Sequence, residues 1–144
     1  MLVSEILRIK GTTLYTTPPD APVMDAVKVM AQNDIGSLVV MDHGRMGGIV
    51  TFAEVLRVLS EREGTLGDVR ISAIIERDPL TAAPSIDVNE LRRAMLERHA
   101  RYVPVMDGTT LLGVVSFHDV AKAVLEEQSF ENQMLKSYIQ DSPA

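Results

Sequence analysis

Gly113-Val114-Val115-Ser116-Phe117-His118-Asp119 is the stretch from which the arrangement of this chain can be worked out. A glycine and two valines lead into a hydroxyl, and an acid follows the hydroxyl three positions later. A hydroxyl at the N-cap and an acid at the third helical position form a capping box, so the pattern is typical of a buried strand that runs directly into a helix. The same pattern occurs earlier as Gly48-Ile49-Val50-Thr51-Phe52-Ala53-Glu54. The chain therefore contains two equivalent strand-to-helix junctions.

A fixed offset of 65 residues relates the two junctions and their surroundings. Seven of the 25 positions from 34 to 58 are identical to their partners from 99 to 123, without a gap. Ordinary composition would give about one or two identities. Near the start the offset becomes 68, because Ser4–Leu7 resembles Ser72–Ile75, so the first copy carries three extra residues around Lys10–Thr13. We infer an internal duplication.

Each copy predicts the order strand, helix, strand, strand, helix. A short apolar strand (Ile6-Leu7 or Ile74-Ile75) precedes a proline-containing extended segment and an amphipathic helix. A hairpin and the post-junction helix follow; the predicted hairpin strands are 37–41 with 48–51, and 102–106 with 111–115. One such unit is too small to bury a core alone. We therefore expect an α+β fold in which two β-α-β-β-α units pack sheet to sheet as one pseudo-symmetric module.

The predicted boundaries are a first unit at 1–63, a linker at 64–70, a second unit at 71–128 and a helical tail at 129–144. The tail carries an apolar stripe at helical spacing, namely Phe130, Met134, Leu135, Tyr138 and Ile139. Little of its own unit remains to cover this stripe. We expect it to dock on a partner subunit, and the alternative is that it folds back on its own unit.

Composition narrows the possible functions. The net charge is −6 without a long basic run, which argues against a general nucleic-acid surface, and no stretch predicts a membrane span. The absence of cysteine excludes disulfides and thiolate chemistry, and the three histidines lack metal-ligand spacing. No nucleophile–base set is visible either. We expect a cytoplasmic protein that is not an enzyme.

The duplicated unit resembles the CBS motif, because each copy ends in Gly-hydrophobic-hydrophobic-Thr/Ser-x-x-acid. The phrase Arg101–Asp107 also looks like the hydrophobic-Pro-Val strand of that family, and the resemblance covers about residues 1 to 127. Two such motifs form a CBS pair, or Bateman module. Pairs of this kind bind adenine nucleotides or related adenosyl ligands in two clefts between the units. The resemblance implies a regulatory module for AMP, ADP, ATP or NAD that needs no cofactor and acts through a homodimer or an effector protein.

The resemblance also implies roles for residues of the second copy. Asp119 corresponds to the acid that grips ribose, Ser116 would meet ribose or phosphate at the helix start, and His118 is a neighbouring candidate. The adenine ring would lie against the extended segment and the adjacent strand, which are Thr81, Ala82, Tyr102, Val103 and Pro104. Arg101, Arg98 or His99 could reach a phosphate.

The first copy departs from the family pattern, since Glu54 replaces aspartate and Ser37 stands where the second copy has Tyr102. The candidates of this cleft are Thr16, Thr17, Ser37, Val39, Thr51 and Glu54. We expect the first-copy cleft to bind more weakly, differently or not at all. For Glu54 we predict plain helix capping, whereas for Asp119 we predict contact with a nucleotide, with capping as the role of the empty site.

Two other functions compete with nucleotide sensing. A constitutive dimerisation scaffold with vestigial clefts is favoured by the apolar tail and disfavoured by the intact Ser116–Asp119 junction. A small enzyme or hydrolase would need an acid–base pair that the sequence does not show.

Overall fold

The computed structural model describes residues 1–11 and 13–141, which form five α-helices and two small sheets. In chain order the elements are α1 (Val3–Lys10), β1 (Thr16–Thr17), α2 (Val23–Asn33), β2 (Ser37–Asp42), β3 (Arg45–Thr51), α3 (Phe52–Glu61), a 3-10 helix (Ile71–Ala73), α4 (Val88–Arg98), β4 (Tyr102–Asp107), β5 (Thr110–Ser116) and α5 (Phe117–Asp141). The predicted α+β class is confirmed.

The two hairpins repeat each other in detail. β2 pairs antiparallel with β3, and β4 pairs antiparallel with β5. Both pairs shift register at the same place, between Val40 and Met41 and between Val105 and Met106. β1 adds a parallel strand to β2, and the corresponding residue of the second copy, Ala82, makes a parallel bridge to Val105. The predicted hairpins are therefore confirmed.

The predicted opening strands are wrong. Ile6-Leu7 lies inside α1, and Ile74-Ile75 follows the 3-10 helix. The first of these segments is amphipathic at helical spacing, since Val3 and Ile6 are its buried residues. A two-residue apolar pair cannot distinguish a strand from one side of a helix, because period is only visible over a longer window.

Each opening segment packs on the other unit. Val3 and Ile6 belong to the core built from Leu91, Val103 and Val120 of the second copy. Conversely, Ile71 joins the core of the first copy, which contains residues such as Leu38 and Val50. The two units are thus tied by an exchange of their opening segments as well as by the linker.

Two glycines of the repeat make this exchange possible. A Cβ on Gly48 would collide with the carbonyl oxygen of Glu76, because Ile49 and Glu76 form an antiparallel bridge beside it. A Cβ on Gly113 would lie 2.9 Å from a methyl of Leu7. Gly48 also has a φ of +152°, which side chains rarely adopt. The repeated glycine therefore marks the point where the opening segment of the other unit crosses a strand.

The tail predicted at 129–144 is helical as far as Asp141, as the last part of α5, and residues 142–144 lie outside the described part of the chain. The stripe residues are exposed in the single chain, with 63% exposure for Phe130 and 76% for Tyr138. The stripe therefore does not fold back on its own unit.

Candidate functional site

The second junction holds Asp119 in a reciprocal capping box. The Ser116 backbone N–H donates to Asp119 Oδ2 at 2.9 Å, and the Asp119 N–H donates to Ser116 Oγ at 3.1 Å. The strand ends and the helix begins at this turn because the two side chains satisfy N–H groups that the first helical turn leaves free.

Lys10 adds a cation to this junction. Its Nζ donates to Asp119 Oδ2 at 2.7 Å and to the Val114 carbonyl at 2.9 Å. Burial alone would raise the pKa of Asp119, but the hydrogen bonds from Lys10 and Ser116, together with the lysine charge, outweigh it and hold this pKa below its ordinary value. Asp119 is therefore a carboxylate at neutral pH. Lys10 and Ser116 both donate to Oδ2 of Asp119, so among the described residues no group donates a hydrogen bond to its Oδ1.

The first junction uses its acid differently. Glu54 Oε1 accepts the Thr51 N–H at 3.0 Å, and Glu54 Oε2 accepts the Thr51 hydroxyl at 2.9 Å. The Thr51 hydroxyl in turn accepts the Ala53 N–H at 3.2 Å. The capping predicted for Glu54 is confirmed, and both of its oxygens are engaged by its own turn.

The larger cleft has a volume of about 720 Å³ and lies between the two units. The second unit supplies the junction side: Arg101, Tyr102, Val114, Ser116, Phe117 and His118. The first unit supplies Lys10, Thr13, Leu14, Tyr15, Asp34, Ile35, Gly36, Ser37 and Phe52. Eight of these fifteen residues are apolar, aromatic or glycine, and the other seven are polar or charged. Apolar walls that carry polar groups are typical of a small-molecule site. Asp119 is not itself a lining residue, whereas both of its hydrogen-bond donors, Lys10 and Ser116, are.

The smaller cleft is the pseudo-symmetric counterpart, with a volume of about 350 Å³. It joins the first junction to the extended segment and strand start of the second unit. Its lining consists of Ile49, Thr51, Ala53, Glu54, Arg57, Glu76, Pro79, Leu80, Arg98, His99, Ala100, Arg101 and Tyr102. Its three arginines stand beside two glutamates, Glu54 and Glu76, so its lining has one formal positive charge in excess, as does that of the larger cleft with two cations and one acid.

The structure groups the predicted site residues differently from the sequence interpretation. Ser116 shares a cleft with Ser37 of the first unit, and Thr51 shares the other with Tyr102 of the second. Pro79 and Leu80, from the extended segment of the second copy, line the cleft of the first junction. Arg101 and Tyr102 line both clefts, and His118 lines the larger one.

Eight predicted residues line neither cleft: Thr16, Thr17, Val39, Thr81, Ala82, Val103, Pro104 and Asp119. Val39 and Val103 are fully buried, and Ala82 is 3% exposed, because these positions belong to the cores and to the bridges between strands. Residues that the sequence interpretation missed include Lys10, Leu14 and Tyr15. The one available signal was the three-residue insertion around Lys10, which breaks the repeat.

Tyr102 separates the two clefts. Its ring meets Phe52 edge to face at 6.3 Å between centroids, and the Arg101 guanidinium lies 5.2 Å from the centroid of the same Phe52 ring. A Cβ on Gly36 would collide with the Tyr102 hydroxyl. The tyrosine of the second unit therefore packs against a glycine of the first.

A profile of the CBS domain matches residues 3–61 and again residues 71–126. The chain belongs to the CBS domain family. The predicted resemblance is thereby confirmed, and each match of the CBS domain ends in the helix that follows one of the two junctions.

Two proteins similar to this CBS chain carry the CBS domain in their names. The mitochondrial CBS domain-containing protein CBSX3 of Arabidopsis thaliana is 32% identical over 96% of this chain and 71% of its own length. A signal-transduction protein with CBS domains from Burkholderia ambifaria, whose function is only proposed, is 33% identical, with a TM-score of 0.82 over 89% of this chain and 96% of that one. The Burkholderia chain is thus matched over almost its whole length.

The CBS domain pair of protein MJ0100 was solved in complex with 5′-methylthioadenosine and S-adenosyl-L-methionine. It is 24% identical to this chain, with a TM-score of 0.78 over 88% of this chain and 98% of that one. Because a likeness at this identity shows the fold alone, the ligand of this CBS pair has to be argued from its own clefts.

No helix among the described residues is long and apolar enough to cross a membrane. No group of three or more histidine, aspartate or glutamate side chains in the same residues is placed to hold a metal ion.

Proposed function

We propose that this CBS pair is a regulatory module that binds an adenine nucleotide in the larger cleft and is not an enzyme. The observation that carries the proposal is the second junction, where a carboxylate with an unused Oδ1 stands at a helix start beside an apolar interunit cleft. A carboxylate oxygen accepts ribose hydroxyls, and free N–H groups at a helix start favour an anion. The proposed ligands are AMP, ADP, ATP or NAD.

The apolar and aromatic wall of the larger cleft suits a purine. Leu14, Tyr15 and Ile35 come from the first unit, while Tyr102 and Phe117 come from the second. A ring bound between them would touch both units at once. Ligand binding would then stabilise the pairing of the units by mass action and favour one arrangement of their outer surface.

The smaller cleft supports a second, weaker role. Glu54 gives both oxygens to Thr51, so a ribose could reach the carboxylate only by breaking the capping box. Replacing those hydrogen bonds offsets much of any gain from ribose. We therefore propose that adenosyl ligands prefer the larger cleft.

The test of the proposed function is a thermal-shift series with AMP, ADP, ATP, NAD, NADH and S-adenosylmethionine. We expect at least one nucleotide to raise the melting temperature of the wild type, and Asp119→Asn to reduce the shift. The matched control is Glu54→Gln, which changes the equivalent acid of the other junction and should keep the shift. If no compound raises the melting temperature, the sensing function is wrong.

The output of the module is proposed to pass through a homodimer or an effector protein. The exposed stripe of α5 supports this, because Leu135 and Ile139 stay 60% and 69% exposed in the single chain. A chain that ends after Gln128 should sediment as a smaller species than the full chain. An unchanged sedimentation coefficient, after correction for mass, would exclude the stripe as the dimer contact. A cytoplasmic location stays part of the proposal, although the Arabidopsis relative is by name mitochondrial.

The same exposed stripe favours a second candidate function, a constitutive scaffold with vestigial clefts. In that case the dimer would form through α5, and none of the six compounds would change the melting temperature. The thermal-shift series therefore separates the two functions directly.

A further inference from the structure

Lys10 lies beside the position that an adenosyl ligand would take at Asp119. Its ammonium bonds the carboxylate of Asp119 and the Val114 carbonyl, while the residue lines the larger cleft. Asp119 does not line that cleft. A ligand that reaches Asp119 through the cleft must therefore pass beside Lys10.

The lysine is delivered by the exchange of opening segments. α1 belongs to the first copy in sequence, but Val3 and Ile6 anchor it in the core of the second unit. The helix ends at Lys10, over the end of β5 and the start of α5. The position is thus fixed by a packed helix, although the lysine side chain itself is 42% exposed.

Charge decides which 5′ group Lys10 favours. An ammonium has three N–H donors, of which Asp119 and Val114 take two. A ribose that takes the free Oδ1 of Asp119 leaves both of these hydrogen bonds in place, so the third N–H is open to the 5′ group. A phosphate there accepts this N–H as an anion, whereas a neutral 5′ group adds no charge and a cationic one is repelled.

The remaining charges of the larger cleft cancel each other. Arg101 is the second cation of the lining, and Asp34 is its acidic residue, on the opposite unit. Since Asp119 in turn balances Lys10, these charges sum to zero before a ligand binds, and the charge of the 5′ group then acts on Lys10.

We propose that Lys10 selects the ligand of the larger cleft by charge, favouring adenosyl ligands with an anionic 5′ group over those with a neutral or cationic one. The inference rests on the proposed function and sharpens it, since it places nucleotides with a 5′-phosphate ahead of thioether and sulfonium nucleosides. Lys10 is a specificity residue, because it meets the group in which these ligands differ.

Titration calorimetry with three probes tests the selection. AMP carries an anionic 5′ group, 5′-methylthioadenosine a neutral one and S-adenosylmethionine a cationic one, on the same adenosine. The quantity to compare is the ratio of the Kd of 5′-methylthioadenosine to the Kd of AMP. Lys10→Met, which keeps the length of the side chain and removes the charge, should lower this ratio at least about tenfold.

Two further variants make the comparison decisive. Lys10→Arg keeps the charge and should keep the ratio within about threefold. Lys28→Met removes an exposed lysine of α2 that lines neither cleft, and should leave the ratio unchanged. Wild-type AMP binding should weaken as salt rises, and this salt dependence should flatten in Lys10→Met.

The outcomes separate the inference from the proposed function. If the wild type binds AMP and 5′-methylthioadenosine but Lys10→Met leaves the ratio within twofold, charge selection by Lys10 is wrong and the proposed function stands. A fall of the ratio in Lys28→Met equal to that in Lys10→Met would also contradict it. If the wild type binds none of the probes, the proposed function fails, and the inference fails with it.

Discussion

The two strand-to-helix junctions have the same pattern but use their acids differently. Both carboxylate oxygens of Glu54 accept hydrogen bonds from Thr51. In Asp119, by contrast, Oδ2 accepts the hydrogen bonds from both Ser116 and Lys10. One methylene explains the difference, because only the longer side chain can bring both oxygens back over the first turn. The shorter acid therefore leaves a carboxylate that can accept hydrogen bonds from other parts of the molecule.

The clefts beside the two junctions also differ in size. The cleft at Ser116 has about twice the volume of the one at Thr51, about 720 Å³ against about 350 Å³. Ser37 contributes a small side chain to the cleft at Ser116. The equivalent residue in the cleft at Thr51 is Tyr102, which has a large ring. A duplication that began with equal halves now has one roomy cleft and one narrow, arginine-rich cleft.

The largest expected effect comes from the glycines at the two crossing points. Gly48→Ala forces a side chain into a left-handed backbone conformation and against the backbone oxygen of Glu76, so we expect a loss of about 3 kcal/mol in the free energy of unfolding. Gly113→Ala meets the flexible end of Leu7 and should cost about 1 kcal/mol. Urea unfolding of the two variants measures both losses of unfolding free energy. Equal losses would show that the two crossings are equivalent after all.

A smaller effect is expected when each junction acid is neutralised. Asp119→Asn should weaken AMP binding about tenfold to a hundredfold, or about 1.4 to 2.8 kcal/mol, because the ribose contact loses its charge. Glu54→Gln should change it less than threefold, because Glu54 is engaged by Thr51. Calorimetric titration gives both Kd values. A greater loss in Glu54→Gln would move the nucleotide to the smaller cleft.

The tyrosine between the clefts allows a more modest perturbation. Gly36→Ala should push the Tyr102 ring away from the first unit, at a cost of about 1 kcal/mol, and change the tyrosine fluorescence. The control is Gly47→Ala, whose added Cβ would have its nearest neighbour at 3.7 Å. The chain contains three tyrosines and no tryptophan, so the emission reports on tyrosines directly. Identical spectra for the two variants would contradict the position of Tyr102.

The smallest effect concerns pH. The pKa of Asp119 is lower in the folded chain than its ordinary value of 3.8, so the folded state binds fewer protons at this site than the unfolded state. The resulting stabilisation is present above the ordinary pKa and is lost as pH falls through the folded pKa. The melting temperatures of wild type and Asp119→Asn should therefore converge as pH is lowered from about 5 to about 2. A constant difference over that range would mean that the carboxylate is not stabilised in the fold.

Local sequence patterns were enough to predict much of the secondary structure of this protein. The hairpins follow from turn residues between apolar runs, and the junction helices follow from acids three residues after a hydroxyl, because these signals act within a few residues. The duplication and the unequal acids at 54 and 119 were likewise visible in the sequence. The opening strands failed because an apolar pair such as Ile6-Leu7 is too short to show its period.

Tertiary structure alone decided which pieces meet. In a duplicated chain each junction carries the same local signals whether it faces its own extended segment or that of the other copy. Packing of the opening segments on opposite units selected the second arrangement, and so placed Ser37 with Ser116 and Thr51 with Tyr102. The same packing brought Lys10 onto Asp119, 109 residues away along the chain, where only the closed interface between the units could place it.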